Sequence, residues 1–232
     1  MTSRPLTLHE EILLLAFRDK AGTLAAEETK FQHALGGAIL AELLLAGRAG
    51  IEESRRRKFV VPRDPRPLGE PVLDEALAKL RDARRRASLK TWVTRFRGMK
   101  NLRHRVARQL CRRGVLRADE DKVLFLFTRK IYPELDPRPE RALVERLRRA
   151  IFTDAADVDA RTAVLVALAD KTGLLKNVFD RKELKARKAR LKSIAAGEAV
   201  GEVGEAAKAA AEAMQAAILV AVITPAATGG AR

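Results

Sequence analysis

Apolar residues recur along this chain at i, i+3, i+4 and i+7, a spacing that only helices with one buried face can use. Leu89, Trp92, Val93 and Phe96 make one such stripe, and Met99, Leu102, Val106 and Leu110 make the next, which stops at Gly114. Helix signals flank both. Thr7-Leu8-His9-Glu10 is a capping box ahead of a helix over residues 10–18. A second helix is expected over 29–46, closed by Gly47, and it carries Gly36-Gly37 in its middle. Two interior glycines cost roughly 2 kcal/mol against alanine, so close helix packing is expected there. Pro71 suits the first turn of a helix over 71–85. Further helices are expected over 139–152, 159–169 and 180–195, and an Ala-rich one ends in Ile218–Ile223. Arg48–Glu53 with Lys58–Val61 reads as one hairpin. Val115-Leu116 with Val123–Phe127, around Asp119-Glu120-Asp121, reads as another. The expectation is a mainly α fold: one globular helical domain over residues 5–224 with two small β-hairpins, and a disordered tail at 225–232.

Charge narrows the function classes. The 232 residues carry a formal net charge of +16. Fifteen Lys and Arg fall between Lys79 and Arg117, against the single acid Asp82. Such a field attracts nucleic acid, anionic lipid or acidic protein. Aromatics are only 4% of the chain, too few for the stacking platforms of single-strand binders. The lone Cys111 excludes an internal disulfide and a cysteine-based metal site. His9, His33 and His104 lack metal-ligand spacing, and no Gly-rich phosphate loop or nucleophile elbow is present. Asp74 and Glu75 are adjacent, so on a helix they diverge by about 100° and make no acid/base dyad. The chain therefore reads as non-enzymatic, without metal or cofactor. The start, Met1–Pro5, lacks the apolar stretch of a signal peptide, and the longest apolar run, 216–223, is far short of the ~20 residues that span a bilayer. The expected location is cytoplasmic, peripheral to a membrane.

On a helix over 99–113, Lys100 and Arg103 sit together beside the apolar stripe, where two cations can share one phosphate. Arg105, Arg108 and Arg112 fall on the solvent face. Arg95, Arg97 and Arg105 are expected to supply the supporting field. The run Val123, Leu124, Phe125, Leu126 and Phe127 is more continuously apolar than a half-buried strand needs, which suits a hairpin that touches lipid. A basic helix followed by a hairpin is also the pattern of a winged helix-turn-helix, so nucleic acid is the rival partner. That helix offers only Asn101 and Gln109 for reading base edges.

The ordered segments Leu6–Leu15 with Asp19-Lys20, Leu40–Leu43 with Gly47-Arg48, Gly69–Leu77, Trp92, Leu102–Val106, Gly114–Leu116 and Tyr132-Pro133 resemble the Golgi phosphoprotein 3 family. The resemblance covers roughly residues 6–195. It implies a mostly helical domain that binds phosphatidylinositol 4-phosphate on the cytosolic Golgi face in eukaryotic members. It also implies an adaptor that retains glycosyltransferases, with a hydrophobic hairpin for membrane insertion or homo-oligomerisation. Of the family's four headgroup residues, two arginines fall on Lys100 and Arg103, which keep the charge. The family's Trp and its other Arg fall near Glu27 and Gly36, where neither is kept. The family's insertion after the Trp92 helix and its long basic N-terminal arm have no counterpart here. The heavy use of Ala, Arg and Leu fits a bacterial member, so the resemblance implies an anionic lipid in general as partner, with protein clients besides.

Overall fold

A computed structural model describes residues 4–17, 22–24, 27–123, 127–153, 157–200 and 204–223. The fold is mainly α, as expected. Its helices are α1 (Leu8–Ala16), α2 (Glu28–Leu45), α3 (Pro71–Arg81), α4 (Leu89–Arg97), α5 (Leu102–Arg112), α6 (Arg138–Phe152), α7 (Ala160–Thr172), α8 (Arg181–Ala186), α9 (Lys188–Ala196) and α10 (Gly204–Ile223). A 3-10 turn at Leu174–Asn177 follows α7. The strands are β1 (Ala49–Ser54), β2 (Arg57–Pro62), β3 (Ala87–Ser88), β4 (Asp119–Val123) and β5 (Phe127–Ile131).

Local chemistry sets several of these starts. The Thr7 N–H donates to the Glu10 carboxylate at 2.9 Å, closing the capping box of α1. Glu70 caps α3, accepting from the N–H groups of Val72 and Leu73 at 3.0 and 2.7 Å, with Pro71 in the first turn. Asp159 caps α7 through Thr162 N–H at 2.9 Å.

The central helix is α2, whose residues from His33 to Leu44 are all buried. It packs against α1, α4, α7 and α10. The glycine pair makes this possible. A Cβ on Gly36 would lie 2.5 Å from the Val93 carbonyl oxygen of α4. One on Gly37 would lie 2.5 Å from Val220 of α10 and 3.0 Å from Leu168 of α7. The propensity cost of two glycines is thus offset by backbone contact on both flanks of the helix.

Buried acids on α1 and α2 draw arginines from three other helices. Arg113, just past α5, donates to Glu10 at 2.7 Å. Arg146 of α6 donates to Glu11 at 2.7 Å, and Arg161 of α7 donates to Glu42 at 2.7 Å. Some of the basic residues therefore balance carboxylates inside the molecule.

The sequence expectation differs from the structure at four places. Helix α5 begins at Leu102, because Asn101 takes a left-handed backbone (φ 53°) that ends helical continuity. Met99 and Lys100 thus fall in the preceding turn. The first hairpin gains a third strand, β3, paired antiparallel to β2 through Phe59–Ser88 and Val60–Ala87. In the second hairpin the acidic stretch is strand rather than turn: β4 pairs with β5 from Asp119–Ile131 to Val123–Phe127. That register sets Glu120 opposite Lys130, an acid against a base, which suits a solvated two-stranded ribbon. Val123 and Phe127 are its last paired residues, while Leu124, Phe125 and Leu126 lie outside the described residues. The helix expected over 180–195 is two, α8 and α9, parted at Arg187, whose guanidinium donates to the Phe152 carbonyl. The tail expected at 225–232 also lies outside the described residues.

Candidate anion-binding site

Three helix ends meet on one side of the molecule: the start of α2, the end of α4 and the start of α5. Between them lies a cavity of about 190 Å³, lined by Glu28, Gln32 and Leu35 of α2, Arg97 of α4, Met99 and Asn101 of the turn, and Leu102, Arg103 and His104 of α5. Asn101 makes no side-chain cap and the first turn of α5 holds no acid. Its leading N–H groups therefore lack the usual side-chain partner and carry the positive end of the helix dipole.

Arg103 is half-buried at the cavity wall. Its Nη1 donates to Glu28 Oε2 at 3.0 Å, and Gln32 Nε2 donates to the other Glu28 oxygen at 3.0 Å. Its Nη2 lies 3.5 Å from His104 Nε2, and His104 Nδ1 lies 2.9 Å from the Tyr132 hydroxyl. Burial, then the charges of Arg103 and Lys130, push the His104 pKa below its ordinary value. A neutral imidazole at pH 7 suits this arrangement, with Nδ1–H donating to Tyr132 and Nε2 facing the guanidinium. His104 is thus a half-buried bonded group, not the solvated surface histidine that its arginine neighbours imply in the sequence.

Arg97 is the functional candidate that the sequence undervalues. Its Nε is buried with no hydrogen-bond partner. A Cβ built on Gly36 would sit 3.1 Å from the Arg97 Cβ and 3.0 Å from its backbone nitrogen. The Arg97 side chain therefore springs from beside the spot where a residue at position 36 would emerge. No linear spacing shows this, because residues 36 and 97 lie on different helices.

The other expected site residues scatter. Lys100 is exposed in the turn and does not line the cavity, since α5 starts three residues later than the stripe implies. The cavity brings Arg97 together with Arg103, and Lys100 stays outside it. Glu27 turns to Lys30 at 2.8 Å, and the carboxylate in the cavity wall is its neighbour Glu28. Arg95 stacks over the Trp92 ring, 4.7 Å from its centroid. Arg105 pairs with Glu75 at 2.5 Å instead of standing free on the solvent face.

An acid–histidine cluster does exist elsewhere. His9 Nε2 lies 3.4 Å from Glu70 Oε2, and Gln109 also donates to Glu70. Both His9 and Glu70 are at most 1% exposed, and Glu70 is committed to capping α3. A substrate has no access to that pair, which ties α1, α3 and α5 together. Asp74 likewise serves structure, accepting from Leu68 N–H at 2.7 Å.

The family model for Golgi phosphoprotein 3 (GPP34) matches residues 8–218. Vacuolar protein sorting-associated protein 74 of Eremothecium gossypii is 31% identical over 160 residues, which is 61% of this chain. The match covers 48% of that relative, so the chain spans about half of its length. The family match runs from the first residue of α1 into the last turns of α10, and the chain belongs to the Golgi phosphoprotein 3 family.

Proposed function

We propose that this protein is a non-enzymatic peripheral membrane protein, an adaptor that holds an anionic phospholipid headgroup in the cavity between α2, α4 and α5. One observation carries the reading: Arg97, Arg103 and the uncapped first turn of α5 all line one hollow. A phosphate there accepts from two guanidinium groups and from backbone N–H groups at a helix start. Arg97 takes over the cationic role that Gly36 cannot supply, so phosphatidylinositol 4-phosphate, the family's lipid, remains a ligand to test first. Lys100, Arg95 and Arg105 add to the field, and the apolar run Val123–Phe127 supplies the lipid contact. Among the described residues no helix is long and apolar enough to cross a membrane. The same reading includes client proteins and self-association through the hairpin.

Co-sedimentation with vesicles tests this. Binding is expected to rise with anionic lipid content, and Arg97→Glu with Arg103→Glu is expected to weaken it at least about tenfold, since each basic residue near an anionic leaflet contributes about 1 kcal/mol. Unchanged binding by the double variant would sink the pocket. Tight binding to duplex DNA with none to vesicles would favour the winged-helix reading instead.

A further inference from the structure

A second basic hollow lies against the 3-10 turn, α8 and α9. It has a volume of about 500 Å³ and is walled by Lys176, Arg181, Lys185, Lys188 and Lys192. Its one acid, Asp170, is met by Lys171 at 3.5 Å. The five other cations are exposed, and among the described residues none of them has an ion-pair partner. Its floor is apolar, made by the buried side chains of Leu175, Leu184 and Leu191. Five like charges gathered around a concave apolar floor repel one another, and an anion at their centre relieves that repulsion.

The topology sets this hollow at the same end of the helix bundle as the first cavity. Helix α7 runs antiparallel to α2: Arg161, at its start, holds Glu42 near the end of α2, and Leu168, further along, meets the flank of Gly37. The end of α7 and the 3-10 turn therefore lie level with the beginning of α2, where Glu28 lines the first cavity. A chain of contacts links the two places. Asn177 of the 3-10 turn donates to the Leu15 carbonyl at 2.8 Å. Two residues on, Phe17 stacks on Tyr132, which holds His104 in the wall of the first cavity.

We infer that this hollow is a second docking point for anionic lipid, so that the protein grips one leaflet at two places. The ligand class is a phosphate-bearing lipid headgroup, its phosphate among the lysines and its glycerol and upper acyl carbons against the leucines. The inference rests on the membrane reading of the first cavity for its choice of a lipid over another polyanion. Two linked contacts raise overall affinity through effective concentration, without either being strong alone.

Vesicles of neutral phosphatidylcholine, with and without anionic phosphatidylglycerol, provide the test. Lys185→Glu with Lys188→Glu alters two exposed positions and is expected to leave the thermal unfolding midpoint unchanged while weakening anionic-vesicle binding about tenfold. Arg108→Glu with Arg112→Glu makes the same change in net charge on the solvent face of α5 and is expected to weaken binding by less than about threefold. Equal losses for the two pairs would overturn the inference, because the effect would then be net charge alone. Wild-type binding by the Lys185/Lys188 variant would overturn it as well. Loss with Lys185/Lys188 but not with Arg97/Arg103 reversed supports the second point and refutes the first cavity, so the two failures are distinguishable. A labelled poly-glutamate peptide that binds wild-type protein but not the Lys185/Lys188 variant, with vesicle binding intact, would assign the hollow to an acidic protein partner and overturn the lipid.

Discussion

Glu28 occupies the place where an incoming anion would pair with Arg103. Its carboxylate holds Arg103 at 3.0 Å and is itself steadied by Gln32. A headgroup phosphate must displace it. Both partners are substantially exposed, so the pair stabilises by only about 0.2–1 kcal/mol. Glu28→Gln is therefore expected to tighten anionic-vesicle binding about two- to fivefold, and unchanged or weaker binding would count against the cavity as the site. Residue-level charge also sets the pH response of stability, through two acids of opposite sign. In Glu70, burial raises the pKa, but the His9 contact and the capping N–H groups outweigh it, and the net shift is downward. Its contribution is present above the ordinary carboxylate pKa and is lost as pH falls through the lowered value. In Glu11, burial outweighs the pull of Arg146, and the net shift is upward. Its contribution is present below the ordinary value and is lost as pH rises through the raised one. Glu11→Gln, which has no carboxyl to ionise, is accordingly expected to gain stability relative to wild type on going from about pH 4 to about pH 7, since Arg146 retains solvent contact when its partner is neutralised. Urea unfolding at the two pH values reads the sign directly.

Among the elements, the glycine pair of α2 gives the sharpest contrast. Alanine at either position gains about 1 kcal/mol of helix propensity. At Gly36 the new Cβ meets the Val93 carbonyl oxygen at 2.5 Å, and backbone cannot step aside without shifting α4. At Gly37 it meets methyl groups of Val220 and Leu168, which can turn away. Gly36→Ala is expected to destabilise by about 1–3 kcal/mol, and Gly37→Ala by clearly less, in thermal or denaturant unfolding. Equal effects would refute the packing account. The same pair shows what the sequence makes legible. Two glycines inside an otherwise strong helix announce close packing, and the stripe Leu89–Phe96 announces the partner helix. Neither tells that α4 is the neighbour of Gly36 in particular, so the closeness of Arg97 to position 36 stays hidden. The apolar stripe through Met99 extends α5 by three residues too many, because side-chain periodicity does not sense the left-handed backbone at Asn101. That error is what placed Lys100 beside Arg103. Likewise Asp119–Asp121 has turn composition, yet it is strand, and there the exposed Glu120 opposite the exposed Lys130 is an asset.

Across the whole molecule, a net charge of +16 attracts any polyanion, so affinity alone does not reveal a site. Among the described residues, seven of the fifteen cations in the basic block, Lys79, Arg81, Arg86, Arg103, Arg105, Arg113 and Arg117, already sit in ion pairs within the fold. Salt separates what remains into two parts. Exposed cations such as Arg108 and Arg112 act across solvent, where the Debye length shrinks from about 10 Å at 0.1 M to about 3 Å at 1 M. Guanidinium groups in contact with a phosphate inside a cavity are screened far less. Raising salt is thus expected to weaken vesicle binding overall while treating the variants differently. The small loss caused by reversing Arg108 and Arg112 is expected to vanish at high salt. The loss caused by reversing Arg97 and Arg103 is expected to persist, as a ratio to wild type, wherever binding remains measurable. If both ratios fell to one together, the cavity would be no more than part of the diffuse field, and the convergence of Arg97, Arg103 and the start of α5 would have no bearing on lipid.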